Sequence, residues 1–390
     1  MKTGLLLLGL AYVLSQFFRA FLAVLTTPLR DALGIEPAVL ATASGYWFLA
    51  FAAMQIPVGR ALDTIGPRRT AGWLLLVGGG GGAALFALAQ GPLYIHAAMA
   101  LIGVGCSPVL MASFYIFARE YPPARFATLA ALMIGIGTVG NLISSYPLAF
   151  AVDAIGWRAS LWGLAAVSAT VAIGVLFTVR DPARADAAGQ GRLMDLLRLP
   201  VLWLIIPIMF VNYAPVAAIR GLWIGPYLRD VFDLQTGQIG VATLVMSLAM
   251  IVGTLAYGPL DRLLGTRKWV VFGGNALTIL LLAGLITQTG RSATLSVAIM
   301  AAIGFFGASF PVIIAHARSF FPAHLTGRGV TLMNLFGIGG VGVMQFASGR
   351  LHSAYTGGDP AAPYTALFAF FAIALAIGVA IYALSRDSTD

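Results

Sequence analysis

The sequence predicts an all-α membrane protein of twelve transmembrane helices, arranged as two pseudo-symmetric six-helix bundles with both termini cytoplasmic. Three observations predict it. Of the 390 residues, 59% are hydrophobic and only 9% are charged, where a soluble protein carries about 25% charged residues. The apolar residues fall into runs of about 20, the length a helix needs to cross the hydrocarbon core. Basic residues gather in alternate loops, as the positive-inside rule requires of a multi-pass chain.

The elements follow in order. Met1-Lys2-Thr3 and the leucine run after it resemble a signal peptide, but the apolar stretch continues past Arg19 to Leu25 with no cleavage signal, so it is expected to be a retained first span. Spans are expected near 5–28, 38–59, 71–89, 92–117, 126–150 and 159–178, and again near 201–225, 238–258, 269–288, 293–316, 327–348 and 362–384. The longest polar stretch separates the two sets. This divides the chain into an N-terminal bundle (1–179), a cytoplasmic linker (180–199) and a C-terminal bundle (200–390). With the N-terminus inside, sixteen of the 23 Lys and Arg fall on the cytoplasmic side. The outer loops hold five, Arg30, Arg158, Arg229, Arg291 and Arg350. The asymmetry supports an even span count and an inner (cytoplasmic) membrane location.

Composition also excludes several functions. The single cysteine, Cys106, cannot form an intramolecular disulfide. One Cys and four His give no structural metal site. The formal charge of +9 is spread through short loops, so a nucleic-acid partner is not expected. There is no HExxH and no pair of acids inside a span, so neither catalytic residues nor a cofactor is expected. The one GxGxxG match, Gly135 to Gly140, follows no strand and lies in an apolar span, which argues against a dinucleotide site. It and the glycines at 78–82 and 337–340 are expected to serve close helix contacts.

The halves repeat. Gly59, Asp63, Gly66, Arg68 and Arg69 stand between spans 2 and 3; Gly258, Asp261, Arg262, Gly265, Arg267 and Lys268 stand between spans 8 and 9. Both glycines and the basic pair recur at an offset of 199. Leu29-Arg30-Asp31 recurs as Leu228-Arg229-Asp230 at the same offset, and Ala118-Arg119 with Pro122 recurs as Ala317-Arg318 with Pro322. In such a loop the first Gly is expected to let a helix end pack closely. The Asp is expected to meet a helix N-terminus or a neighbouring Arg. The basic pair anchors the loop on the inner face.

This loop, present twice in two six-span halves, resembles the signature of the major facilitator superfamily. The resemblance covers the whole chain. It implies a monomeric secondary transporter whose two bundles rock about a central site, with these loops as conformational gates. Thr64 stands where the family usually has a basic residue. Met99 stands where span 4 often has Arg, a residue implicated in proton coupling in some branches.

Two charges lie inside spans, Arg19 in span 1 and Arg220 in span 7. Burying a charge at bilayer depth costs about 2.5–3.5 kcal/mol on insertion scales, so such residues normally face a cavity. Two guanidiniums with no acid beside them suit a carboxylate or phosphate. An Arg in each of spans 1 and 7 resembles the organophosphate/phosphate antiporter branch, which implies that Arg19 and Arg220 bind an anion. Snorkelling of either Arg to the outer surface is the bland alternative. Tyr12 and Gln16 share a helix face with Arg19, and Asn212 and Tyr213 precede Arg220; these, with Asn141 and Asn334, are the expected further substrate contacts. All fourteen acids fall in loops, at span ends or in the tail, which leaves no carboxylate proton carrier inside the membrane. His96 and His316 are the titratable candidates.

The expectation is therefore a small-molecule transporter for an organic or inorganic anion, embedded in a lipid bilayer. The competing reading is efflux of a hydrophobic drug or metabolite, with the arginines structural. A transporter-fold sensor is a third.

Overall fold

The computed structural model describes residues 2–182, 196–322 and 325–388. Most of the expected linker, 183–195, lies outside them. The described chain is helical, with no strand. Nine helices are long and apolar enough to cross a membrane, and three bent pairs bring the total to twelve. The continuous ones are Pro67–Ala87, Pro92–Glu120, Trp157–Thr178, Leu202–Phe232, Thr236–Leu264, Lys268–Gln288, Ala293–Arg318, Arg328–Ala354 and Ala362–Tyr382. Many large apolar side chains on them are exposed, such as Phe177, Leu255 and Ile373. That is the surface a helix presents when lipid, not water, surrounds it.

Three expected spans are broken rather than continuous. Span 1 bends by 55° between Thr3–Phe17 and Leu22–Leu33. Span 2 bends by 41° between Pro37–Ala53 and Gln55–Thr64, and span 5 by 41° between Thr128–Ile143 and Tyr146–Ile155. Two of these breaks have a proline cause. Pro57 and Pro147 lack an N–H, and each ring crowds the carbonyl four residues earlier. Those carbonyls belong to Ala53 and Ile143, the last residues of the helices that stop there. In span 1 the chain instead tightens: the Arg19 and Ala20 amides donate to Gln16 and Phe17, three residues back, at 3.3 and 3.0 Å.

Contacts divide the chain into two units. One is Met1–Ala187 with Thr236–Val241; the other is Ala188–Gln235 with Ala242–Asp390. Each is held by close helix approaches. In the first, a Cβ added at Gly140 would meet the Val13 carbonyl oxygen at 2.0 Å, and one at Gly137 the Tyr12 ring at 2.3 Å. The GxGxxG run is thus the surface on which span 5 packs against span 1. In the second, a Cβ added at Gly340 of span 11 would meet the Phe210 carbonyl oxygen of span 7 at the same 2.0 Å. Small residues of this kind let helix backbones touch where no hydrophobic effect drives association.

The second unit also carries a buried polar link. Asn212 Nδ2 donates to Asn275 Oδ1 at 2.7 Å and to Ser309 Oγ at 3.0 Å, and Asn275 Nδ2 donates to the Val271 carbonyl at 2.7 Å. These bonds join spans 7, 9 and 10.

Candidate functional site

In the first unit, the break in span 1 sets the position of Arg19. Phe17, Phe18 and Phe21 are buried around it, and Phe18 and Phe21 meet edge to face at 5.6 Å. The guanidinium lies over the rings of Trp47 and Phe51 in span 2, 5.3 and 4.9 Å from their centroids. Those two rings are themselves stacked, 5.1 Å apart. A cation on aromatic faces is stabilised by their quadrupoles without losing its charge. Arg19 Nε and Trp47 Nε1 are both buried donors with no hydrogen-bond partner. No described carboxylate forms an ion pair with Arg19. Buried donors normally have acceptors, so this corner is chemically incomplete: a positive charge and two N–H groups with nothing anionic beside them.

Tyr12 and Gln16 stand on the same helix face, and Gln16 Nε2 donates to the Tyr12 hydroxyl at 3.2 Å. Asn141, on the span that packs against span 1, has a buried Oδ1 with no partner. Its backbone carbonyl accepts from Ser144 and Ser145. Tyr12, Gln16, Arg19 and Asn141 therefore belong to one region of the first unit.

In the second unit, Arg220 lies on irregular backbone too. Residues Ile219–Trp223 form a π-helical turn inside the long helix of span 7, and Arg220 is 1% exposed. Wide turns of this kind cluster at functional sites. Tyr213 is half-buried against Phe310, 5.5 Å between centroids. Asn212 is fully buried in the Asn275–Ser309 link described above, and Asn334 is half-buried on span 11.

The repeated loops differ from expectation in one respect. Gly59, Asp63, Gly258, Asp261 and Arg262 are helical, because Gln55–Thr64 and Thr236–Leu264 run past the apolar spans. No atom crowds a Cβ at Gly258, and at Gly59 only Met111 comes near, at 3.9 Å, so the first glycine is not a close-packing point. The second glycine carries the geometry. Gly66 and Gly265 have φ of +100° and +64°, a region that side chains disfavour, and there the helix stops and the chain reverses. Asp63 meets Arg119 at 3.8 Å and Asp261 meets Arg267 at 3.3 Å. Arg69 and Arg262 are exposed.

Two acids that the sequence reading did not single out complete these loops. Asp181, just after span 6, accepts from the Arg68 backbone N–H at 2.8 Å and pairs with Arg68 Nε at 3.6 Å. Asp387, just after span 12, accepts from the Thr266 hydroxyl at 2.5 Å and from the backbone N–H of Lys268 at 2.9 Å and Arg267 at 3.3 Å. Burial would push the Asp387 carboxyl up. The Thr266 hydroxyl and the two backbone donors outweigh it and hold the group below the usual carboxylate range. Each half thus ends in an acid docked at the start of its own third helix, where the helix dipole favours negative charge.

Of the two histidine candidates, His96 is half-buried, its Nε2 3.2 Å from the Val39 carbonyl. His316 is fully buried with both ring nitrogens used: Nε2 donates to the Arg386 carbonyl at 2.9 Å, which fixes Nδ1 as the acceptor from Tyr382 at 2.7 Å. His316 pins the segment that carries Asp387.

Comparison with known proteins fits this architecture. The Major Facilitator Superfamily model matches residues 8–222 and 208–390. A probable L-galactonate transporter of Escherichia coli (strain K12) is 23% identical over 304 residues, covering 70% of this chain and 63% of that protein. The uncharacterized transporter YybO of Bacillus subtilis (strain 168) is 24% identical over 170 residues, covering 43% and 37%. The chain thus spans less than two thirds of either relative. Among solved structures, a bacterial homolog of the human lysosomal transporter Spinster superposes with a TM-score of 0.76 at 17% identity, covering 98% and 96% of the two chains. The nucleoside transporter NupG gives 0.74 at 15%, covering 98% of each, and a D-xylose-proton symporter 0.70 at 15%, covering 96% and 97%. With up to twelve candidate spans, a duplicated loop and a family match along the whole chain, this protein belongs to the Major Facilitator Superfamily, a family of multi-pass membrane transporters rather than enzymes.

Proposed function

We propose that this transporter carries a small organic or inorganic anion across the inner membrane as a monomer, by alternating access, with Arg19 in the first unit and Arg220 in the second as its anion-binding cations. The observation that carries the reading is the corner around Arg19: a half-buried guanidinium on two aromatic faces, with its Nε and the Trp47 Nε1 lacking acceptors. A carboxylate or phosphate supplies the missing acceptors and the missing charge. Tyr12, Gln16 and Asn141 are the neutral groups that then orient the rest of the solute. In the second unit the corresponding cation is Arg220, with Tyr213 and Asn212 on its own helix and Asn334 on span 11. The relative named for L-galactonate, a sugar-acid anion, supports the same class. The duplicated loops serve as gates, held by Asp181 and Asp387 in one state.

The test is counterflow in proteoliposomes loaded in turn with phosphate, a sugar acid, a dicarboxylate and a neutral sugar. Exchange of one anion class, lost in Arg19→Gln and retained at least in part in Arg19→Lys, supports the reading. Transport unaffected by Arg19→Gln overturns it. The aromatic surface of Trp47 and Phe51 favours one second reading, efflux of an apolar compound, in which the arginine substitutions leave transport intact.

A further inference from the structure

A recess opens at the cytoplasmic end of the first unit, where span 1 begins and span 6 ends. It holds about 640 Å³, and Thr3, Arg68 and residues 177–181 line it. Its floor is closely packed: a Cβ added at Gly4 would meet the Thr178 carbonyl oxygen at 2.9 Å, so the start of span 1 is docked on the end of span 6. Arg68 and Asp181 pair at 3.6 Å and offset each other's charge. Arg180 is exposed, and among the described residues it forms no ion pair. Two cations and one acid therefore leave the recess with a net charge of +1. Phe177, three residues before Arg180, is 84% exposed, and Ile173, one turn earlier, is exposed as well. In a spanning helix such an outward apolar face meets acyl chains. One strip of span 6 thus joins an unpaired guanidinium at the inner rim to an apolar track beneath it.

We propose that this recess seats the headgroup of an anionic phospholipid of the inner leaflet, with its phosphodiester on Arg180 and its acyl chains along Phe177 and Ile173. A guanidinium matches the oxygens of a phosphate bidentately. The Thr3 hydroxyl adds a neutral donor on the same wall. Basic pockets between spanning helices on the cytoplasmic side are a general form of lipid headgroup site. Charge selects the lipid over a soluble phosphate. A phosphodiester carries one negative charge and neutralises the recess. A phosphate monoester carries about −1.5 to −2 at pH 7, which leaves excess negative charge beside Asp181. A soluble phosphate also has no apolar body to cover Phe177. A phosphatidylcholine headgroup has no net charge, because its ammonium returns a cation to the side of Arg180. The seat is separate from the solute-binding corner: roughly 20 Å of helix, at about 1.5 Å per residue, lies between Thr3 and Arg19. It rests on neither Arg19 nor the identity of the transported solute.

The experiment is native mass spectrometry of the full chain in detergent, titrated with dioleoyl phosphatidylglycerol, dioleoyl phosphatidylcholine or inorganic phosphate. We expect phosphatidylglycerol to bind more tightly than phosphatidylcholine. Arg180→Gln is expected to weaken the tightest phosphatidylglycerol site by about five-fold or more, the worth of one basic residue near a membrane surface. Arg180→Lys, which keeps the charge, retains most of the affinity, and Phe177→Ser weakens the same site. Both residues are exposed, so Arg180→Gln and Phe177→Ser keep the thermal midpoint of the lipid-free protein. Arg19→Gln leaves lipid binding unchanged, which separates this site from the solute-binding one. Phosphatidylglycerol bound equally by wild type and Arg180→Gln, or phosphatidylcholine bound as tightly by wild type, overturns the proposal. Displacement of the lipid by millimolar inorganic phosphate also overturns it, and makes the recess a soluble-anion site.

Discussion

Replacing Asp387 by alanine tests how the second of the repeated loops is held. The carboxylate accepts three hydrogen bonds, from Thr266, Lys268 and Arg267, at the start of the helix Lys268–Gln288. Loss of an N-terminal cap costs about 0.5–2 kcal/mol. Bonds to a charged acceptor are worth about 1.5–3 kcal/mol, but this group is exposed and solvent screens it. A loss of about 1–2 kcal/mol follows. For a chain of 390 residues an unfolding entropy of about 2.1 cal/mol/K per residue makes that about 1.2 °C per kcal/mol, so the thermal midpoint in detergent falls by about 1–2.5 °C. The pH dependence has a definite sign. A carboxyl held below its unfolded value stabilises the fold above that value, and the contribution is lost as pH falls through the folded value. The difference between wild type and Asp387→Ala is therefore constant across neutral pH. It shrinks only on acidification below the ordinary carboxyl value of 3.8. In a double-mutant cycle with Thr266→Val, the two losses overlap by at least about 0.5 kcal/mol. A midpoint indistinguishable from wild type, or strict additivity with Thr266→Val, refutes the reasoning.

Other substitutions test the packing. Gly140→Ala places a Cβ 2.0 Å from the Val13 carbonyl, where only backbone movement relieves the clash; it should cost roughly 1–3 kcal/mol or more and lower the yield of folded protein. Gly135→Ala, with nothing within 4 Å, should leave the thermal midpoint unchanged. Asn275→Ala removes the acceptor of Asn212 and should cost about 0.6–1.7 kcal/mol, the range for buried bonds between membrane helices, read as about 1–2 °C in the thermal midpoint.

Much of this was legible in the sequence, for identifiable reasons. The apolar runs and the offset of 199 reveal twelve spans and a duplicated loop, because hydrophobic length and charged loop residues are local signals. Pro57 and Pro147 explain two of the three breaks, since each helix ends four residues before its proline. The break at Arg19 has no such marker: no proline or glycine lies in residues 17–22. Asp181 and Asp387 follow an Arg in both halves, but their separation is 206 rather than 199, so a search at the repeat offset passes them by. The aromatic seat of Arg19 on Trp47 and Phe51 depends on which helices touch, which periodicity does not encode.

The most direct measurement is thermal unfolding of the purified protein against phosphate, sugar phosphates, mono- and dicarboxylates, a sugar acid and several neutral or cationic drugs. A ligand at about 100 times its dissociation constant adds roughly 2.7 kcal/mol, a readily measured shift. The account predicts stabilisation by one anion class, abolished by Arg19→Gln and by Arg220→Gln. Stabilisation by apolar compounds alone, unchanged in both variants, contradicts it.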